Sequence, residues 1–149
     1  MLRRARSEDA DELASILRTA MRGAMPLLPD LHTPEDDRRF LGEVVLPNEE
    51  VWVAEVDGRP IGFAALGLRE GEDFLQHIYV APEHQSHGIG TALFDVARRE
   101  RPGGFRLWVF QRNEGARRFY ERHGCRLLEL TDGSGNEERE PDALYEWLP

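Results

Sequence analysis

The spacing of apolar residues is helical before Val51, strand-like from Val51 to Val80, and alternates between the two thereafter. Leu2 to Ala5 reads as a short first strand, and Ser7 suits an N-cap ahead of Glu8 and Asp9, whose carboxylates favour the positive end of a helix. Leu13, Ile16, Leu17 and Ala20 then recur at helical spacing. Pro26 and Pro29 make Met25 to His32 a structured loop, because neither can continue a helix. Thr33-Pro34-Glu35-Asp36 restarts one, with Phe40, Leu41, Val44 and Val45 expected on its buried face. Val51 to Val56 and Ile61 to Leu68 predict a hairpin turned by Asp57-Gly58.

Phe74 to Val80 is a further strand, followed by a helix carrying Leu93, Phe94, Val96 and Ala97. Phe105 to Phe110 is strand-like, Glu114 to His123 helical, and Arg126 to Leu130 and Ala143 to Leu148 are strands separated by the polar stretch Thr131 to Asp142. The order is β-α-α-β-β-β-α-β-α-β-β over one domain spanning residues 1–149. This predicts an α/β protein with a mixed, mostly antiparallel sheet of about seven strands and four helices on its faces.

Composition narrows the function. Hydrophobic residues are 40% and charged residues 32% of the chain, a globular balance with no apolar run approaching a membrane span. The basic start Met1 to Arg6 lacks the apolar stretch of a secretory signal, so a cytoplasmic protein is expected. A net charge of -9 argues against nucleic acid or an anionic membrane as partner, and means that an anionic ligand needs a local trap. The single cysteine, Cys125, excludes an intrachain disulfide and reads as a small buried residue, with no catalytic role given to it. The five histidines form no paired ligand motif, so no metal is expected.

One trap is visible. In Gln85-Ser86-His87-Gly88-Ile89-Gly90-Thr91, glycines precede a helix, where backbone can approach a ligand closely and the first-turn amides form an anion site. The run lacks the Gly-Lys-Ser/Thr ending of a P-loop, and by itself is also consistent with a plain turn. Further along, Asn113-Glu114-Gly115-Ala116-Arg117-Arg118-Phe119-Tyr120 opens with a capping residue and places Ala116, Phe119 and Tyr120 on one helical face.

Together these segments resemble the GNAT superfamily of N-acetyltransferases: a Gln-x-x-Gly-x-Gly loop, then Asn-x-x-Ala-x-x-Phe-Tyr-x-x-x-Gly after one helix and one strand. Ile78-Tyr79-Val80-Ala81-Pro82-Glu83 matches the strand end that leads into the loop. The resemblance implies an acetyl-CoA-dependent enzyme that moves an acetyl group to a primary amine. It implies that the backbone of Ile78, Tyr79 and Val80 bonds the acetyl and pantetheine arm like an added strand. Ser86, His87, Gly88, Ile89, Gly90 and Thr91, behind Gln85, would then hold the pyrophosphate through amides. Asn113 would bond the arm, Phe119 would pack beside it, and Tyr120 would protonate the departing thiolate, a phenol with a reference pKa of about 10 being protonated at neutral pH. An amide near Val80 would stabilise the oxyanion.

Departures carry information too. Ser86 and His87 stand where the family often has Gly and a cation, and Trp108 where acetyltransferases of protein N-termini often place a glutamate base, which lowers that substrate class. For the acceptor the resemblance points to Met25 to His32, with Leu28 and His32, and to Asp132 to Asp142, with Glu137 and Glu138. Carboxylates there favour a cationic amine; a solvated acidic turn is the plain alternative. His77 is read either as a base or as a hydrogen-bonded structural histidine, and Glu72 and Asp73 are further base candidates. Rival readings are a non-catalytic acyl-CoA sensor and an enzyme acting on protein lysines or termini. A homodimer through an exposed sheet edge is also expected.

Overall fold

A computed structural model describes all 149 residues. Strand β1 (Leu2–Arg4) leads through a 3-10 turn (Ser7–Asp9) into helix α1 (Ala10–Ala24). Helix α2 (Pro34–Arg39) runs without interruption through a π-helical segment (Phe40–Val45) into α3 (Leu46–Asn48). Strands β2 (Glu50–Val56), β3 (Arg59–Arg69) and β4 (Glu72–Val80) follow, then α4 (Ile89–Glu100), β5 (Phe105–Phe110), α5 (Glu114–Arg122), β6 (Arg126–Leu130) and β7 (Asp142–Trp147). With α2 and α3 as one rod, the order is the one the apolar pattern predicts.

The seven strands form one sheet in the order β1-β2-β3-β4-β5-β7-β6, antiparallel except where β4 meets β5. Central β3 is buried on both faces, as its unbroken run Ile61 to Leu66 requires. One face packs Phe63 and Ala65 against Leu13 and Ile16 of α1 and Leu41 and Val45. The other packs Ala64 and Leu66 against Leu93, Phe94 and Ala97 of α4 and Tyr120 of α5. Both hairpin turns use paired positive φ angles: Asp57 at 53° with Gly58 at 77°, and Glu70 at 50° with Gly71 at 79°. The second turn lengthens β4 by two residues beyond the expected Phe74 start.

Two local expectations are corrected. Ser7 does not cap α1; the Asp9 carboxylate instead accepts from the Arg6 amide at 2.7 Å and is held bidentately by Arg3. Of the four apolar residues expected on the second helix's buried face, Leu41 and Val45 are fully buried, whereas Phe40 and Val44 are 38% and 45% exposed. The cause is the π segment, where the Leu46 amide donates to the Leu41 carbonyl, five residues back. The wider turn rotates Phe40 and Val44 off the core and toward the cleft described next.

Candidate active site

Strands β4 and β5 run parallel but pair at one point, Phe74 with Arg106. Beyond it they diverge, and β4 bulges at Gln76, where the register to β3 shifts between Ala65 and Leu66. The divergence leaves the β5-facing backbone of Ile78 to Val80 without a ladder partner and opens a cleft of about 2380 Å³. That volume exceeds an ordinary single-ligand pocket of roughly 300–1,000 Å³, so one long ligand and a second, smaller one fit together.

At one end lies the anion loop. Ser86 and Gly88 take positive φ angles of 68° and 81°, turning the chain so that α4 starts at the cleft. Gly88 is its N-cap and no side chain caps it, leaving first-turn amides free to face a ligand. Gly90 contributes a close approach: a Cβ there would stand 3.3 Å from the Phe119 ring, which would have to give by a few tenths of an ångström. The Gln85 side chain donates to the Val80 carbonyl at 3.1 Å, fixing loop to strand end. Gln85, Ser86, Gly88, Gly90 and Thr91 line the cleft. The side chains of His87 and Ile89 do not: His87 turns back to the His84 carbonyl, and Ile89 packs in the core near Gly62.

The opposite wall is α5. Asn113 caps it by accepting from the Ala116 amide at 3.2 Å, which commits its oxygen and aims the amide nitrogen elsewhere. Phe119 and Tyr120 line the cleft with it. Tyr120 is buried, its hydroxyl has no hydrogen-bond partner within the chain, and burial holds its pKa well above the usual tyrosine range, with Tyr79 adding to the effect. It is therefore a protonated donor waiting for an acceptor. Cys125 is buried, and burial pushes its thiol up to about 12, so it carries no thiolate at neutral pH.

On the α1 side of β4, His77 and Tyr79 pack with Phe40 and Phe63, with ring centroids 5.7 to 6.4 Å apart. His77 is not the hydrogen-bonded structural histidine that its sequence position also allowed: Nδ1 is buried with no partner. Burial, assisted by Arg69, lowers its pKa to about 4, so the ring is neutral at physiological pH. Burial likewise raises Tyr79 to about 12. Glu72 and Asp73 are taken up by Arg106 and Arg101 at 3.7 and 3.1 Å, near the closed end where β4 meets β5.

The two loops that sequence pointed to meet across the cleft. Arg18 organises the first, bonding Asp30, Asp37 and the His32 carbonyl at 2.9, 2.9 and 2.6 Å. In the second, Asn136 bonds both the amide and the carbonyl of Glu140, whose carboxylate is gripped bidentately by Arg112 at 2.7 Å. This segment is thus a built loop rather than a solvated acidic turn. Asn136 and Glu140 are spent on its structure, while Glu137 and Glu138 project. His32 Nε2 meets Glu137 Oε1 at 2.7 Å, a strap between loops 105 residues apart in sequence, and the carboxylate raises the His32 pKa. Glu138 is half-buried, and its charge contributes to the raised pKa of Tyr79. Leu28, His32, His77, Glu137 and Glu138 all line the cleft. Arg18 and the Arg112–Glu140 pair carry no sequence signal beyond residue type, since their partners lie 12 to 28 residues away.

Glu49 holds the second orphaned buried atom, Oε1, beside Gly67 and Gln76. Burial raises its carboxyl from the ordinary 4.5 to about 7. A raised carboxyl contributes full stability below pH 4.5 and loses it as pH climbs through 7; His77, lowered from 6.5 to about 4, acts in the opposite sense, losing stability as pH falls from 6.5 toward 4. Glu49→Gln is expected to raise the melting temperature over wild type by roughly 2–4 °C at pH 8 and by little at pH 4.5. Melting curves giving the same difference at both pH values would overturn this.

The site therefore combines a splayed sheet edge, a loop whose first-turn helix amides are uncapped, and a phenol with no partner in the chain, an arrangement that can take a long ligand and offer it a proton donor. Residues 47–125 match the model of the acetyltransferase (GNAT) domain. An uncharacterised N-acetyltransferase of Archaeoglobus fulgidus is 31% identical over 91% of this chain and 99% of its own length. A peptidyl-lysine N-acetyltransferase of Escherichia coli is 34% identical over 58% of this chain, which spans 57% of that protein. Among solved structures, a PaiA N-acetyltransferase of Thermoplasma acidophilum in complex with coenzyme A superposes with a TM-score of 0.82 at 22% identity, over all of this chain and 98% of the other. The chain belongs to the GNAT acetyltransferase family.

Proposed function

We propose that this protein transfers an acetyl group from acetyl-CoA to the primary amine of a small molecule by direct attack, with Tyr120 as general acid. The observation that carries the reading is Tyr120, whose ring is buried and whose hydroxyl has no partner within the chain, on the wall of the cleft that Asn113 and Ile78 to Val80 also line. The pantetheine arm lies along Ile78 to Val80, and the pyrophosphate sits on the amides from Ser86 to Thr91. The amine lone pair attacks the thioester carbon, and an amide near Val80 receives the oxyanion. The C–S bond then breaks as the thiolate takes the Tyr120 proton, and the proton shed by the amine returns to the phenolate through water. Burial disfavours both the phenolate and the thiolate, so the raised pKa of Tyr120 does not by itself oppose the transfer.

The acceptor enters from the α1 side, where neutral His77 offers a lone pair to the amine proton and Glu138 offers a charge to a cationic substrate. The His32–Glu137 strap narrows this entrance, which favours a small molecule. A peptide lysine is the second reading, supported by the lysine specificity in the name of the Escherichia coli relative. A non-catalytic sensor is the third, and a proton donor is wasted in it. A homodimer formed through β6, an edge strand exposed along its length, belongs to the same reading.

The test is calorimetry of acetyl-CoA binding beside thiol release over a panel of small amines and lysine peptides. Binding with release on small amines supports the proposal, release on peptides alone moves the assignment to the second reading, and absence of binding sinks all three. In the same panel Glu138→Gln is expected to raise the acceptor Michaelis constant about tenfold, the order of one charge-assisted contact, while Glu137→Gln, whose carboxylate is already engaged by His32 at 2.7 Å, changes it little. Equal effects of the two substitutions would remove Glu138 from the pocket.

A further inference from the structure

Gly115, Arg118, Phe119 and Arg122 recur on α5 at i, i+3, i+4 and i+7, and all four line the cleft. The stripe is pinned against the anion loop at two points. Phe119 fills the space above Gly90, and His123, the next residue after Arg122, bonds the Thr91 hydroxyl at 3.0 Å. Arg118 and Arg122 are exposed and make neither an ion pair nor a hydrogen bond. Neighbouring α5 groups are committed elsewhere: Arg117 donates to the Tyr145 hydroxyl at 3.0 Å, and that hydroxyl donates to Glu121 at 2.6 Å. Two arginines four residues apart on one helix face repel each other. In a chain of net charge -9, with 28 carboxylate residues against 19 arginines, both are left without a counter-ion where they line the cleft, so an anion held there would meet two free guanidinium groups.

The anion loop explains what that anion is. Its donors are backbone amides suited to a pyrophosphate, and the side chain that could have added positive charge, His87, points back to the His84 carbonyl. Coenzyme A carries a third phosphate, on the 3′ position of its ribose, and the loop has no side-chain cation for it. We propose that Arg118 and Arg122 form the receptor for this 3′-phosphate, giving fork-shaped donors to a dianion at the rim of the cleft. The inference rests on acetyl-CoA being the cosubstrate, and it adds a specificity: the protein selects coenzyme A over cofactors that end in an unphosphorylated ribose.

Calorimetry with coenzyme A and with dephospho-coenzyme A, which lacks only that phosphate, tests it on wild type and on Arg118→Gln/Arg122→Gln. Both residues are exposed and outside the core, so circular dichroism melts are expected to be unchanged. Wild type is expected to bind coenzyme A at least tenfold more tightly than the dephospho form, the order of one charge-assisted contact, and the double variant to bind both equally, at the wild-type affinity for dephospho-coenzyme A. A double variant that keeps the wild-type ratio overturns the proposal, as does one that loses affinity for both ligands in parallel, which would place the arginines on the pyrophosphate. Failure of wild type to bind either ligand would instead remove the acetyl-CoA reading itself.

Discussion

Tyr120→Phe is expected to lower kcat by about 100-fold or more while leaving the affinity for acetyl-CoA within about twofold, because the substitution deletes one proton donor and keeps the ring. The ring packs between Phe94, Phe119 and Tyr145, at centroid distances of 6.4, 5.5 and 6.3 Å, and those contacts survive. The hydroxyl bonds nothing in the chain, so its removal breaks no internal hydrogen bond and a loss of rate cannot be charged to a loosened fold. The leaving thiolate must then depart unprotonated into a buried cleft, and the defect is expected to shrink with acyl donors whose leaving thiol is more acidic. Steady-state rates beside calorimetry on the same samples read both halves. Full activity in the phenylalanine variant would remove Tyr120 from the chemistry and leave the thiolate to be protonated by water.

How much of this was legible in the sequence depends on the range of the interactions. The element order follows from periodicity punctuated by proline, glycine and capping residues, and the loop from Gln85 to Thr91 and the cap at Asn113 from residue types acting on their own backbone. Such signals are local, so they can be read without a fold. The π segment is different: Phe40, Leu41, Val44 and Val45 form a regular helical stripe on paper, and only the five-residue hydrogen bond sends half of it to the cleft. The β4 bulge at Gln76 is equally silent, since no glycine or proline marks it. The strap of His32 and Glu137 joins residues 105 positions apart, and the orphaned atoms of His77 and Glu49 are defined by what fails to surround them. Arg118 and Arg122 are the intermediate case. Their spacing was readable, but only the packing of α5 on the anion loop shows that their face is the cleft rather than open solvent.

Phe94→Ala is expected to cost about 3–5 kcal/mol of folding stability, a large part of the roughly 5–15 kcal/mol typical of such a domain. Phe94 is fully buried, and its ring lies 5.5 Å from Phe105, 6.0 Å from Phe119, 6.4 Å from Tyr120 and 5.3 Å from His123, with the Arg98 guanidinium 5.4 Å from its centroid. Close-packed neighbours on α4, β5 and α5 relax only partly into the space, so most of the cavity remains. The substitution also removes the backing of the two rings that form the cofactor wall, and so is expected to weaken acetyl-CoA binding in protein that is still folded. Leu68→Ala, at a side chain 68% exposed on the same sheet, is the control and is expected to shift stability by under about 0.5 kcal/mol. Denaturant unfolding with an unchanged slope measures both. A loss near 1 kcal/mol at Phe94 would mean that α4 and α5 close over the gap, and that the wall holding Phe119 and Tyr120 is set by their own helix and the β5–β7 pair rather than by the core beneath them.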